Sequence, residues 1–205
     1  MLPNFIICGT QRGGTTTLYY YLKKHPEVYL SRRKEIHFFD LNYHKGIKWY
    51  EKWFKKAKNK GFKAIGEATP SYMYLEEVPE RIQEHIPDIK LIFILRHPVD
   101  RAYSHYWHEV SIGYEWLSFK EAISREKERL FKGDLFSKIH YSYLDRGKYI
   151  NQLKRYEKYF SKDQMLILLN RDLRERPEKV MKEVFKFLEV NPEFKDQNWK
   201  IKRYN

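Results

Sequence analysis

Apolar residues in this chain fall into short continuous runs separated by amphipathic stretches. Five runs read as strands: residues 5–8, 28–30, 64–66, 91–95 and 165–169. The clearest is Leu91-Ile92-Phe93-Ile94-Leu95, apolar at every position, as a strand buried on both faces should be. Between the runs, apolar positions recur at three- and four-residue spacings. They predict helices opening after Thr15 and spanning 47–58, 78–86, 99–110, 119–131, 149–160 and 178–188. Gly61 closes the second of these and Pro87 the third. Residues 133–147 read as irregular, and neither a repeat nor a linker interrupts the chain. Strands alternating with helices predict an α/β fold: one domain over 1–205, with a central parallel sheet and helices on both faces.

In such sheets ligands bind beyond the carboxyl ends of the strands. Four polar loops fall there, at 9–14, 32–37, 67–72 and 96–98. The first runs Gly9-Thr10-Gln11-Arg12-Gly13-Gly14 and opens a helix with Thr15-Thr16-Thr17. Free backbone N–H groups and the positive end of the helix dipole converge there into an anion cradle. The spacing of Gly9 and Gly14 resembles a Walker A loop, which makes the domain P-loop-like. Thr15 stands where that loop has its lysine, and Arg12 is the loop's only cation. This reads as a phosphate loop for a ligand other than a nucleoside triphosphate. The alternative is a plain strand–turn–helix whose glycines serve packing. A second anchor follows the longest apolar run: Arg96 ends the strand, and Ser104 lies about two helical turns on. Both can converge on a second phosphate, or Arg96 caps a neighbouring helix and Ser104 is packed.

Composition narrows the ligand. The 205 residues suffice for one domain with a real core, and 17% aromatic content excludes a disordered chain. The net charge is +13, from 40 Lys+Arg against 27 Asp+Glu, which implies an acidic ligand or partner. Nucleic acid, anionic polysaccharide and nucleotide cofactor all fit, although much of the lysine is spread as solvated helix surface. The one cysteine, Cys8, offers no internal disulfide and no zinc pattern. No apolar run approaches the ~18 residues of a membrane span, and no signal peptide is legible, so a soluble, cytoplasmic protein is expected.

Together the two anchors resemble the sulfotransferases that use 3′-phosphoadenosine 5′-phosphosulfate. The resemblance runs from Phe5 to about Leu188. GTQRGGTTTL resembles the 5′-phosphosulfate loop of that family and LRHPVDRAYSHY its 3′-phosphate element. KEIHFFD and EATPSYMY resemble the heparan sulfate glucosaminyl 3-O- and N-sulfotransferase branch, and residues 147–190 its bacterial members. The resemblance implies transfer of a sulfuryl group to a hydroxyl or amine of a carbohydrate or other small metabolite. It implies a donor site of Arg12, Gly13, Gly14, Thr15, Thr16, Thr17, Arg96 and Ser104, with Lys202 and Arg203 as the remnant of a C-terminal lid. Glu35 maps onto the branch's general base, with His37 the runner-up; alternatively Glu35 pairs with Lys34, Arg33 or Arg32. Arg12 should act by electrostatics, since arginine does not readily give up its proton. Lys34, Thr69, Tyr72 and His108 are expected at the acceptor. No metal is expected.

Two departures stand out. Ala68 occupies a position where members of the branch carry a lysine that contacts sugar acid groups, and the chain stops near where the family continues into its lid. A P-loop kinase or nucleotidase is the competing class; it requires Mg²⁺ and the missing lysine. A nucleic-acid-binding module would explain the charge, but no such motif is present, so no nucleic-acid partner is expected.

Overall fold

A computed structural model describes residues 1–196 and Trp199. The five apolar runs form β1 (Phe5–Gly9), β2 (Val28–Leu30), β3 (Ala64–Ala68), β4 (Lys90–Leu95) and β5 (Met165–Leu169). All pair in parallel, in the order β2-β3-β1-β4-β5. The chain thus builds one side of the sheet, crosses β1, and builds the other. The carboxyl end of β1 is therefore the switch point where a ligand crevice opens.

Side-chain alternation along the central strands explains the burial on both faces. Phe5 and Ile7 of β1, with Ile92 and Ile94 of β4, join the core on one face. Ile6, Cys8, Leu91 and Phe93 join the core on the other. The first core is closed by α1 (Thr15–Leu22) and, after β5, by α9 (Asn170–Glu175) and α10 (Pro177–Phe187). The second is closed by α2 (Ile47–Glu51), α3 (Val78–His85) and α8 (Tyr149–Tyr156). Each fully buried Leu, Ile or Phe contributes about 1.5–3 kcal/mol, so these two layers hold the sheet. A third, smaller cluster joins α4 (Pro98–Ser111) to α5 (Phe119–Ser124) through Ala102, Tyr106, Ala122 and Tyr143. Among the described residues no helix is long and apolar enough to cross a membrane.

Three predicted elements differ. The helix over 119–131 breaks at Arg125 into α5 and α6 (Glu126–Phe131). Glu126 turns inward there and accepts the N–H groups of Leu144 and Asp145, each at 2.7 Å. The helix over 47–58 is α-helical only to Glu51 and continues as a 3₁₀ turn over Lys52–Ala57. The stretch read as irregular contains α7 (Leu135–His140), opened by Asp134, whose carboxylate accepts Ser137 N–H at 2.8 Å.

Close approach of two strands fixes Gly66 in β3. A Cβ there would lie 2.5 Å from the buried ring of Phe5. Gly66→Ala is therefore expected to cost about 1–3 kcal/mol of unfolding free energy, by overpacking. Urea denaturation checks this; a loss within experimental error would contradict the packing described.

Candidate active site

The turn after β1 is held from three sides. Thr10 N–H donates to Ile94 O at 3.0 Å, and Gly13 N–H to Thr10 O at 2.8 Å. Asn170, the first residue of α9, donates from Nδ2 to Gly13 O at 2.7 Å. Gly14 caps α1 with φ 106°, and a Cβ on it would meet Asn170 Nδ2 at 2.5 Å, so only glycine fits. The amides of Thr15 and Thr16 open α1 and have no acceptor within the helix. No acidic residue stands in that first turn, which leaves the dipole end free for an anion. The Gly13 amide is spent inside the loop and is not one of the open donors. Thr17 lies one residue deeper in the same turn.

The second anchor meets the first. Arg12 Nε donates to Ser104 Oγ at 3.1 Å, and Arg96 Nη1 to Arg12 O at 3.3 Å. Tyr149 steadies the end of β4 by donating its hydroxyl to Arg96 O at 2.8 Å. Arg12, Arg96, Ser104 and His108 line one cleft of about 400 Å³, with Asp100, Tyr103 and Trp107 on its α4 wall. Burial and then the Arg96 cation lower the Arg12 pKa, with Glu109 opposing. Among the described residues neither Arg12 nor Arg96 has a carboxylate in ion-pair range.

A separate cluster sits on the loop after β2. Glu35 Oε1 lies 3.2 Å from Lys34 Nζ, and its Oε2 lies 3.2 Å from His37 Nε2. His37 Nδ1 is 2.8 Å from Asp40 Oδ2, which also accepts the Ser71 hydroxyl at 2.6 Å. Burial would raise Glu35, but bonds from His37 and Lys34 and their charges hold it below the usual carboxylate value. Burial would lower His37, but the two flanking carboxylates, Asp40 first, bring it up to about 10. The arrangement is a carboxylate, an imidazolium and a second carboxylate in line. Glu35 does not line the α4 cleft; its charge reaches the buried Arg146, whose pKa burial lowers to about 9 with Glu35 among the groups opposing.

Thr69 and Tyr72, expected at the acceptor, stand behind the site, not at its surface. Both are fully buried. Thr69 donates its hydroxyl to Glu67 Oε2 at 2.6 Å, and Tyr72 accepts the N–H groups of Phe38 and Phe39. Lys202 and Arg203 lie outside the described residues. Several contributors carried no recognised signal. Arg146 is buried, donates to Gln11 of the phosphate loop, and bonds Ser142 Oγ at 3.0 Å. It sits in the stretch without periodicity. Asn170 had a signal, a capping residue directly after an apolar strand, and Asp40 stood three residues after His37 in the same motif.

A strand–loop–helix anion cradle at the switch point of a parallel sheet, with a second cation at the next strand end, marks a P-loop-like α/β protein. The sulfotransferase domain family matches residues 2–203, and the chain belongs to that family of sulfuryl-transferring enzymes. The solved sulfotransferase from Alicyclobacillus acidocaldarius superposes with a TM-score of 0.86 at 30% identity, covering 100% of this chain and 87% of that one. Bifunctional heparan sulfate N-deacetylase/N-sulfotransferase 4 of Mus musculus is 36% identical over 204 residues, 94% of this chain. The chain spans 23% of the length of that relative. Mouse sulfotransferase SULT7A1, solved in complex with PAP, shares the fold at 16% identity and TM-score 0.63, covering 97% of this chain and 61% of that one.

The His37 arrangement has a pH signature. A folded-state pKa raised above the unfolded one gives stabilisation that is complete below about pH 6.5 and is lost as pH rises toward 10. NMR titration is expected to find the His37 ring still protonated at pH 8. A ring neutral by pH 7 would contradict the double carboxylate contact.

Proposed function

We propose that the enzyme transfers the sulfuryl group of 3′-phosphoadenosine 5′-phosphosulfate to a hydroxyl or amine of a glycan. One observation carries the donor assignment: Arg12 donates to Ser104 Oγ at 3.1 Å and Arg96 to the Arg12 carbonyl at 3.3 Å, which gathers all three in a single cleft. The open amides of Thr15 and Thr16 receive the 5′-phosphate, and Arg96 with Ser104 the 3′-phosphate. Arg12 stands between the two groups and opposes the charge that grows on the bridging oxygen as the bond to sulfur breaks. The acceptor oxygen or nitrogen bonds to sulfur, its proton passes to a base, and adenosine 3′,5′-bisphosphate leaves.

Glu35 is that base in this reading. It is ionised at neutral pH, whereas His37 already holds its proton and has no lone pair to offer. The His37 imidazolium then orients and neutralises the Glu35 carboxylate, Asp40 holds the His37 ring in place, and Lys34 faces the sulfuryl or the acceptor. His108 shares the cleft of Arg12, Arg96 and Ser104, and in this reading it faces the acceptor from that wall. The glycan assignment draws on the heparan sulfate relatives. Ala68, fully buried, offers no cation for sugar acid groups, so the acceptor is recognised elsewhere. The same reading puts the enzyme in the cytoplasm, in keeping with a single buried cysteine thiol.

Transfer of labelled sulfate from the donor to a panel of amino- and hydroxyl-bearing glycans tests this. Glu35→Gln is expected to lower kcat about 100-fold or more. Arg12→Ala is expected to lose about 100- to 1,000-fold. Unchanged turnover in Glu35→Gln would remove it as the base. Chelation by EDTA is expected to leave the rate unaltered; turnover that requires Mg²⁺ and ATP would favour a kinase instead.

A further inference from the structure

Glu67, at the end of β3, is fully buried, and no lysine, arginine or histidine lies in ion-pair range of it among the described residues. Three hydroxyls supply its hydrogen bonds. Tyr50 donates to Oε1 at 2.7 Å, Tyr72 to Oε1 at 3.2 Å, and Thr69 to Oε2 at 2.6 Å. Two of these hydroxyls do a second job. Tyr72 Oη accepts the backbone N–H of Phe38 at 2.7 Å and of Phe39 at 3.1 Å. Thr69 Oγ1 accepts the backbone N–H of His37 at 3.4 Å. Three consecutive amides of the loop after Glu35 therefore end on two hydroxyl oxygens.

A backbone N–H can only donate, so each of those oxygens must turn its lone pairs to the loop and its own proton elsewhere. An ionised carboxylate accepts at every lone pair and so fixes both protons in the required direction. A neutral amide in its place accepts on one side and donates on the other. One hydroxyl would then face a donor and lose its fixed orientation. Burying a carboxylate is costly unless such bonds compensate it. Burial raises Glu67 to about 7, with the bonds from Thr69, Tyr50 and Tyr72 opposing. The ionised form that fixes both protons therefore predominates above that pH, and the variants below are compared at pH 8. A carboxylate kept in the core on those terms has a positional use.

We propose that Glu67 is a positioning residue for sulfuryl transfer, holding the Glu35–His37 loop in register through the hydroxyls of Thr69 and Tyr72. This rests on Glu35 being the base, as proposed above. Tyr50 provides an internal control. It bonds the same carboxylate from α2, but its hydroxyl accepts no loop amide among the described residues.

The test compares Glu67→Gln, Thr69→Val, Thr69→Ser, Tyr50→Phe and Glu35→Gln in the same sulfate-transfer assay. Adenosine 3′,5′-bisphosphate affinity is measured in parallel, well below each variant's melting temperature. Glu67→Gln and Thr69→Val are expected to lower kcat about tenfold or more, since small displacements of a reacting group suffice for that, with bisphosphate affinity unchanged. Thr69→Ser, which keeps the hydroxyl, and Tyr50→Phe are expected to stay within about threefold of wild type. If Glu67→Gln does not fold, the Thr69→Val against Thr69→Ser contrast decides alone. Full kcat in Glu67→Gln or Thr69→Val alongside a crippled Glu35→Gln overturns the positioning role only. A kcat loss accompanied by an equal loss of bisphosphate affinity overturns it as well, because general loosening of the fold moves both. Full turnover in Glu35→Gln overturns the base assignment and the positioning role together.

Discussion

The site depends on two guanidinium groups kept side by side at the ends of the central strands. Arg12 lies in the loop after β1 and Arg96 at the end of β4, and β1 and β4 are paired neighbours. Half-burying two like charges close together is unfavourable, and burial with the Arg96 cation lowers the pKa of Arg12. No carboxylate among the described residues closes on either one. The compensation a protein usually supplies from within is left to a ligand. Behind the pair, Arg101 and Arg146 are fully buried and bond mainly to carbonyl and hydroxyl oxygens. Burial lowers both, to about 10 and about 9. The positive field of the crevice is thus built in depth, and it matches a nucleotide carrying phosphate at both ends.

The rest of the fold supplies that field with an address and a partner group. The crossing of the chain over β1 opens the crevice, and glycine at positions 13 and 14 lets α1 and Asn170 close around the loop. On the other side of β1, strand β3 ends in Glu67-Ala68-Thr69, and its buried hydroxyl network reaches the loop that bears Glu35. The Arg12–Arg96 cleft and the Glu35 loop are thus linked through the neighbouring strands β1 and β3, the cleft side positive and the loop side balanced by Asp40, His37 and Glu35. Charge separation between the two halves suits a reaction in which negative charge grows at the leaving group while a proton departs from the acceptor.

Much of the fold is legible in the amino-acid sequence. The central strands β1 and β4 stand out because parallel strands buried on both faces are apolar without interruption; β5 is as apolar although Ile167 and Leu169 are exposed at the sheet edge. The glycine loop, Arg96 and Ser104 are legible at fixed offsets from those strands, and the structure brings Arg12, Arg96 and Ser104 into one cleft. What escaped was polar residues going inward. Glu126 breaks a helix whose periodicity looked continuous, because its carboxylate caps Leu144 and Asp145. Tyr72 and Thr69 looked like acceptor contacts, since a hydroxyl after a strand end reads alike whether it faces solvent or Glu67. Arg146 lay in a stretch with no period to read. Burial of a charged side chain depends on partners far along the chain, and no local pattern encodes that.

The most direct measurement is calorimetric binding of adenosine 3′,5′-bisphosphate and adenosine 5′-monophosphate to the wild type and to Arg96→Ala. The account expects the wild type to prefer the bisphosphate. It expects Arg96→Ala to lose about 1.5–3 kcal/mol against the bisphosphate, as for a charged hydrogen bond, and almost nothing against the monophosphate. Equal losses for both ligands, or a wild type indifferent to the 3′-phosphate, would mean that Arg12 and Arg96 do not grip one nucleotide.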